Sequence, residues 1–138
     1  MVRPETLRRR LQKLDEFIEY LEYAQAYSFE EFASNVEVYS AVERNLHLSI
    51  EALNDMAGHL IVDENLGTFE RAQDLPALLE EHGFIDEGDR DTWQDMIGFR
   101  NVLVHEYADI DRRTVYAALQ ENLDDIRRLS HVFDRFLE

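Results

Sequence analysis

Four polar side chains near residue 100 are of the types, and at the spacing, needed to bind an anion and to transfer a proton. They are Arg100, Asn101, His105 and Tyr107, and they close an amphipathic run that begins near Asp89. Arginine binds anions through a fork of N–H donors, and histidine exchanges protons near neutral pH. On an ideal helix Asn101 and His105 share a face, and Tyr107 returns to the Arg100 side. The four groups are therefore predicted to converge on one small region.

The guanidinium of Arg100 is rooted in the middle of an apolar stripe. On the helical wheel its neighbours are Trp93, Met96, Ile97, Leu103 and Val104. A permanent charge there needs a carboxylate, carbonyl oxygens or a phosphate as its partner. On spacing alone, an ion pair with an acid of the second or the last long helix is sufficient, and the tyrosine would be a core or rim residue. The sequence contains no Gly-rich phosphate-binding loop, no His–Glu spacing typical of a metal site and no nucleophile elbow around a serine, so these motifs offer no competing site.

Length and composition predict one soluble domain. The chain has 138 residues, enough for a real core, and we expect a single domain over 1–138. It has no cysteine, which excludes disulfides and thiolate metal sites. The N-terminus is charged and amphipathic, and no apolar run approaches the roughly 18 residues of a membrane span. We therefore expect a cytoplasmic protein with no membrane association.

The charge balance is strongly acidic. The net charge is −16, and Lys13 is the only lysine among the fixed cations. This composition suits a protein of a saline cell or of a GC-rich genome. It argues against broad, non-specific nucleic-acid binding, so a polyanion would need a locally positive pocket. The most basic run, Arg8-Arg9-Arg10, is interpreted as a solvated helix flank, with a phosphate-facing role as the alternative.

Apolar residues recur three and four positions apart along the chain, and no strand pattern competes with this helical period. A capping box at Ser28 and an N-cap at Asp111 mark two helix starts, and Ser34-Asn35 is a point where the second helix could break. The predicted fold is all-α, a bundle of four long helices with short additional helices. The predicted long helices cover about 4–26, 28–62, 89–107 and 111–137, and a short one covers about 74–82.

Three further features have an expected surface role. Glu51 and Asp55 are four apart and are interpreted as a solvated acidic face, because no histidine–carboxylate spacing supports a metal site. His47 and His59 are predicted to be surface or rim residues. Arg112-Arg113 fall in the first turn of the last helix, where the helix dipole disfavours cations. Nothing local in the sequence explains this pair, and a partner anion or a neighbouring carboxylate would.

The run Arg100-Asn101-Val102-Leu103-Val104-His105-Glu106-Tyr107 resembles the R-x4-H-x-Y motif of HEPN-superfamily proteins of the HepT-like toxin clade. The polar residue directly after the arginine fits that pattern. The preceding Met96-Ile97-Gly98-Phe99 and the segment 41–53, in the second long helix, are also similar to the clade. The resemblance covers nearly the whole chain and is weakest in the first helix and around Leu75-Pro76.

This resemblance implies a HEPN-like bundle that acts as a metal-independent endoribonuclease, the toxin of a two-gene toxin–antitoxin system. It implies a homodimer in which the motif helices meet in a cleft that takes RNA, with no cofactor and no metal. Arg100 and His105 would be the catalytic pair, with Asn101 as a supporting polar residue. Tyr107 would be the residue AMPylated by the antitoxin, a minimal nucleotidyltransferase of the MntA type.

Two other hypotheses about the motif region remain open at this point. One is a non-catalytic HEPN dimer that serves as a nucleotide- or partner-binding module for a nucleotidyltransferase, which the acidic composition favours. The other is a structural bundle in which Arg100 is only an internal ion pair. For a ribonuclease, the second acid–base group is also open. It could be His105 of the other subunit or water.

Overall fold

The computed structural model describes residues 2–105 and 111–137, and all the regular structure in these ranges is helical. This confirms the predicted all-α class. A 28-residue helix, α3, lies at the centre, and α1, α2, α4, α5, α6 and α7 all contact it. The elements in chain order are α1 (Pro4–Ala24), α2 (Phe29–Ser34), α3 (Val36–Asp63), α4 (Asp74–Glu81), α5 (Glu87–His105), α6 (Arg112–Glu121), α7 (Leu123–Ser130) and a 3₁₀ helix (His131–Phe136).

Side-chain caps start the two helices that follow α1. Ser28 and Glu31 form the capping box, with N···O distances of 2.9 and 3.1 Å in its two hydrogen bonds. Asn35 then stops α2 in an extended conformation and caps α3, because its Oδ1 accepts from the backbone N–H of Glu37 at 3.0 Å. A side chain that satisfies the free N–H groups of a new helix makes such a restart favourable.

The single last helix predicted over 111–137 is wrong. Asp111 does cap a helix, since its side chain accepts from the backbone N–H of Arg113 at 2.9 Å. That helix, α6, ends at Glu121, and Asn122 turns the chain before α7. The Asn122 side chain donates to Asp125 at 3.0 Å, a local bond that competes with helix continuation. The apolar stripe continues across this break, so hydrophobic periodicity alone does not reveal it.

The turns around α4 depend on left-handed backbone positions. After α3, which ends at Asp63, Asn65 has a φ of 56° and Gly67 has a φ of 136°. After α4, which ends at Glu81, Gly83 has a φ of 78°. Asparagine and glycine are the residues that adopt these angles most readily. Within the ranges described, no helix is both long and apolar enough to cross a bilayer.

One contact fixes α5 against α3. The side chain of Trp93 is fully buried, and its indole N–H donates to Asn54 Oδ1 at 2.9 Å. Ile97, one turn later on α5, is also fully buried. The large buried apolar area of the indole and the hydrogen bond of its N–H together fix the position of α5 along α3. The C-terminal turns of α5, which carry the motif, therefore lie beside the middle of α3.

Candidate active site

Arg100 lies on α5 and reaches across to α3. Its Nη1 donates to Glu51 Oε2 at 3.0 Å, so the partner predicted for the guanidinium is a carboxylate of the second long helix. The Arg100 side chain is 19% exposed and the Glu51 side chain is 51% exposed. The pair is therefore open to solvent on the Glu51 side and is not sealed in the core. An arginine held in this way keeps donors for a second anion.

Two polar atoms at this position are buried and have no hydrogen-bond partner in the part of the chain described. They are Nε of Arg100 and Nδ1 of His47. His47 lies on α3, one helical turn before Glu51. Buried donors and acceptors are normally satisfied, so two unsatisfied atoms around one ion pair are unusual. They give this end of the α3–α5 contact an unused capacity for hydrogen bonding.

The surroundings of His47 favour the neutral form of its imidazole, chiefly through burial. Burial lowers the pKa of His47, and the nearby cations Arg100 and Arg44 lower it further, while Glu51 acts in the opposite direction. Because an unperturbed histidine has a pKa of about 6.5, His47 carries no charge at neutral pH. It is partly buried on the edge of α3. The rim position was therefore predicted, but the electrostatic influence of Arg100 and Glu51 on His47 was not.

The other residues of the predicted site are only partly within the described ranges. Asn101 is exposed on α5. His105 is the last residue of α5, and its side chain lies outside the description. Tyr107 also lies outside the described residues. The convergence of these groups with Arg100 thus stays a prediction, whereas Glu51 and His47 are two neighbours that the motif does not contain.

Glu51 and Asp55, the two acids predicted to form a solvated face, are 51% and 47% exposed, and each also pairs with an arginine. Glu51 holds Arg100, and Asp55 forms an ion pair with Arg10 of α1 and lies 3.8 Å from His59. Between α1 and α3 an open groove of about 720 Å³ extends from this acidic edge. Its lining includes the cations Arg9, Arg10 and Lys13 and the apolar side chains Phe17, Leu48 and Ala52. Arg9 and Arg10 of the basic run therefore line the same groove as Glu51.

The cations at the start of α6 are explained by aromatic rings. The guanidinium carbon of Arg112 lies 4.1 Å from the Tyr39 ring centroid, and that of Arg113 lies 4.6 Å from the Phe29 ring centroid. Arg112 also donates to the backbone carbonyl of Ala33 at 2.7 Å. Cation–π contacts of this kind offset the unfavourable position in the helix dipole. Of the partners considered from the sequence, a neighbouring carboxylate is also present for Arg112, because this arginine interacts electrostatically with Glu43.

Comparison with known proteins gives a consistent picture. A family model described as "Ribonuclease HepT-like" matches residues 7–132. The chain is 28% identical over 102 residues to the mRNA nuclease HepT of Shewanella oneidensis, which covers 74% of this chain and 77% of the relative. It is 34% identical over 106 residues to a protein of Archaeoglobus fulgidus, covering 77% and 79% of the two chains.

A solved structure shares the fold. It is the tri-AMPylated HEPN toxin of Shewanella oneidensis in complex with the MNT antitoxin, with a TM-score of 0.87 at 22% identity, covering 98% of this chain and 99% of the other. The helical order and the position of the motif helix beside α3 agree with that architecture. With the family model spanning nearly the whole sequence, the chain belongs to the HepT-like ribonuclease family.

Proposed function

We propose that this protein is an endoribonuclease toxin that cleaves RNA without a metal ion, through Arg100 and His105. The observation that carries the proposal is the half-buried guanidinium of Arg100, fixed by one solvent-open carboxylate and left with an unsatisfied buried N–H. A guanidinium with donors left over after it has bound one carboxylate can bind a phosphate as a second anion. Membership of the HepT-like family supports RNA as the molecule that supplies the phosphate.

The chemistry needs only groups that the chain provides. The ribose 2′-hydroxyl attacks the adjacent phosphorus, and negative charge grows on the phosphoryl oxygens. Arg100 cannot lose its proton at physiological pH and is partly desolvated, so it stabilises that charge strongly. His105 transfers a proton near neutral pH, and Asn101 orients the imidazole or donates to the phosphate. A metal ion is not required to activate the 2′-hydroxyl, because a neutral imidazole can accept its proton near neutral pH.

The active form is proposed to be a homodimer in which the C-terminal ends of two α5 helices meet. Val104, which lies on the same side of this helix as Arg100, is 38% exposed. A part-exposed valine beside the polar motif is compatible with a surface that another chain covers. A second copy would also bring a second motif to the cleft, so each site would combine residues of both subunits.

The acidic surface favours a second candidate function. RNA must approach a chain of net charge −16, whereas a nucleotide-binding dimer that serves a nucleotidyltransferase would not have to bind a long polyanion. In high salt the repulsion is screened within about 3 Å at 1 M. Cleavage that increases as salt is raised from low to moderate concentration would fit the nuclease, and binding of mononucleotides without any cleavage would fit the binding module.

Replacing His105 with alanine is expected to abolish RNA cleavage while leaving a folded dimer. General acid–base catalysis contributes about 10²–10⁴-fold to rates, so the loss is measurable on a labelled single-stranded RNA. Wild type and variant are compared in the presence of a chelator, with dimerisation followed by analytical ultracentrifugation. His82→Ala, a substitution at an exposed histidine in the turn after α4, is the matched control. Cleavage that stops on chelation, or that survives in His105→Ala, would contradict the proposal.

We further propose that a minimal nucleotidyltransferase neutralises the toxin by AMPylating Tyr107. The solved relative is an AMPylated toxin in complex with an MNT antitoxin, and the resemblance to the HepT-like clade implies that the tyrosine of the motif is the acceptor. Added AMP introduces bulk and negative charge beside Arg100, which would repel RNA.

Incubation of the wild type with the cognate nucleotidyltransferase and ATP should add adenylyl groups, seen as increases in intact mass, and should stop cleavage together. Tyr107→Phe should keep its mass and its activity. Tyr23→Phe is the control, since Tyr23 is 67% exposed on α1 and remote from the motif in sequence. Equal addition of AMP to the Tyr107→Phe variant would mean that another residue is modified.

A further inference from the structure

His47 is a titratable side chain inside the arginine site that the family motif does not include. It lies four residues before Glu51 on α3, a spacing that puts the two side chains on neighbouring positions of one helix face. Glu51 in turn accepts a hydrogen bond from Arg100 at 3.0 Å. The Nδ1 atom of His47 is buried without a hydrogen-bond partner in the described ranges, as is Nε of Arg100.

The charged groups that face His47 come from two helices. Arg44 and Glu51 lie on α3 with it, and Arg100 reaches it from α5. Burial and the two arginines lower the pKa of His47 and outweigh the effect of the carboxylate. Near pH 7 the ring is therefore neutral and has one nitrogen free to accept a proton. A neutral imidazole beside a fixed guanidinium is the form required of a general base.

RNA cleavage by the 2′-hydroxyl requires two proton transfers. The attacking 2′-oxygen loses a proton as its bond to phosphorus forms, and the 5′-oxygen gains a proton as its bond to phosphorus breaks. The products are a 2′,3′-cyclic phosphate and a free 5′-hydroxyl. The motif supplies one histidine for these two steps, and His47 lies one helical turn from Glu51, the carboxylate that binds Arg100.

We propose that His47 is the second acid–base group of this site, the general base that accepts the 2′-hydroxyl proton while protonated His105 gives its proton to the departing 5′-oxygen. This assignment depends on the ribonuclease function proposed above. It gives each subunit its own base on α3, so the two proton transfers do not require a second motif histidine or a water molecule. Hydrolysis of the cyclic phosphate would then run with the two roles exchanged.

The test compares His47→Gln with His59→Gln, a substitution three turns further along the same helix at a histidine that is 52% exposed. On a labelled single-stranded RNA cleaved by the wild type, His47→Gln should lower kcat by about 100-fold or more with little change in KM. The acidic limb of its pH–rate profile should disappear, because that limb reports protonation of the base. His59→Gln should keep both the rate and the limb. Thermal unfolding of both variants checks that they fold.

A second substrate separates base from acid. A bridging sulfur in place of the 5′-oxygen leaves as a thiolate without needing a proton, so it should restore cleavage by His105→Ala and leave His47→Gln impaired. Restoration of His47→Gln instead would overturn the assignment, as would a His47→Gln rate within about twofold of wild type or a lost rate with an intact acidic limb. If the wild type cleaves no RNA, the ribonuclease function itself fails. If the wild type cleaves RNA and His47→Gln cleaves it equally well, the ribonuclease function stands and another group is the general base.

Discussion

Replacement of Arg100 by alanine is expected to lower kcat for RNA cleavage by about 10²–10³-fold, the effect of removing one main donor to a developing oxyanion. Arg100→Lys should recover only part of the rate, because an ammonium group keeps the charge but not the planar fork that pairs with two phosphoryl oxygens. The variants should fold, since Glu51 is 51% exposed and water can solvate its carboxylate when the arginine is absent. Initial rates on a labelled RNA, with the folded fraction measured by circular dichroism, give the result.

Arg90→Ala is the matched control for this experiment. Arg90 lies on the same helix, and its Nη1 donates to Glu80 at 2.8 Å, so it is an arginine with a cross-element carboxylate but outside the motif. Its removal should affect stability and leave the cleavage rate nearly unchanged. If Arg100→Ala and Arg90→Ala have the same pattern, a loss of stability with full activity, then Arg100 is a structural ion pair and the nuclease proposal is wrong.

The largest effect on stability is expected from Trp93→Ala. Truncation of a fully buried tryptophan costs about 3–5 kcal/mol, a large part of the roughly 5–15 kcal/mol that stabilises a domain. Trp93→Phe should cost less, because the ring keeps most of the apolar contacts and leaves only Asn54 without its donor. Denaturant unfolding gives these free energies. Since Trp93 fixes α5 against α3, activity should fall in both variants even at temperatures where they remain folded.

Val62→Ala provides the comparison for this series. Val62 lies on α3 and is 64% exposed, so its truncation should change the free energy of unfolding by no more than about 0.5 kcal/mol. A Trp93→Ala midpoint that coincides with the wild type and Val62→Ala would mean that the indole does not occupy the α3–α5 contact.

The sequence was sufficient to predict the fold class and to predict that Arg100 needs a partner. A charge on the apolar face of α5 requires a counter-group wherever the helix packs. The identity of that group was not accessible, because helical periodicity gives the face of α3 but not its register against α5. The register is fixed by tertiary contacts such as the hydrogen bond from Trp93 to Asn54. Glu51 was accordingly interpreted as part of a solvated face.

Two other features were hidden for related reasons. A single histidine on a helix carries little information, and His47 acquires a role only through the neighbours that α5 brings to it. The last helix is divided at Asn122 although its apolar stripe continues, so the pattern of buried residues there is compatible with either one helix or two. The caps at Ser28 and Asp111 and the break at Ser34-Asn35 were predicted correctly, because capping depends on residues a few positions apart.

The hydrogen-bonded indole between α3 and α5 also gives the molecule an intrinsic optical reporter. Trp93 is the only tryptophan of the chain, so selective excitation observes one fluorophore per subunit. Its emission depends on the polarity around a side chain that is fully shielded from water and lies two helical turns from Arg100. Any ligand that shifts the motif end of α5 relative to α3 would change that emission, so binding at the arginine site can be followed in real time without a label.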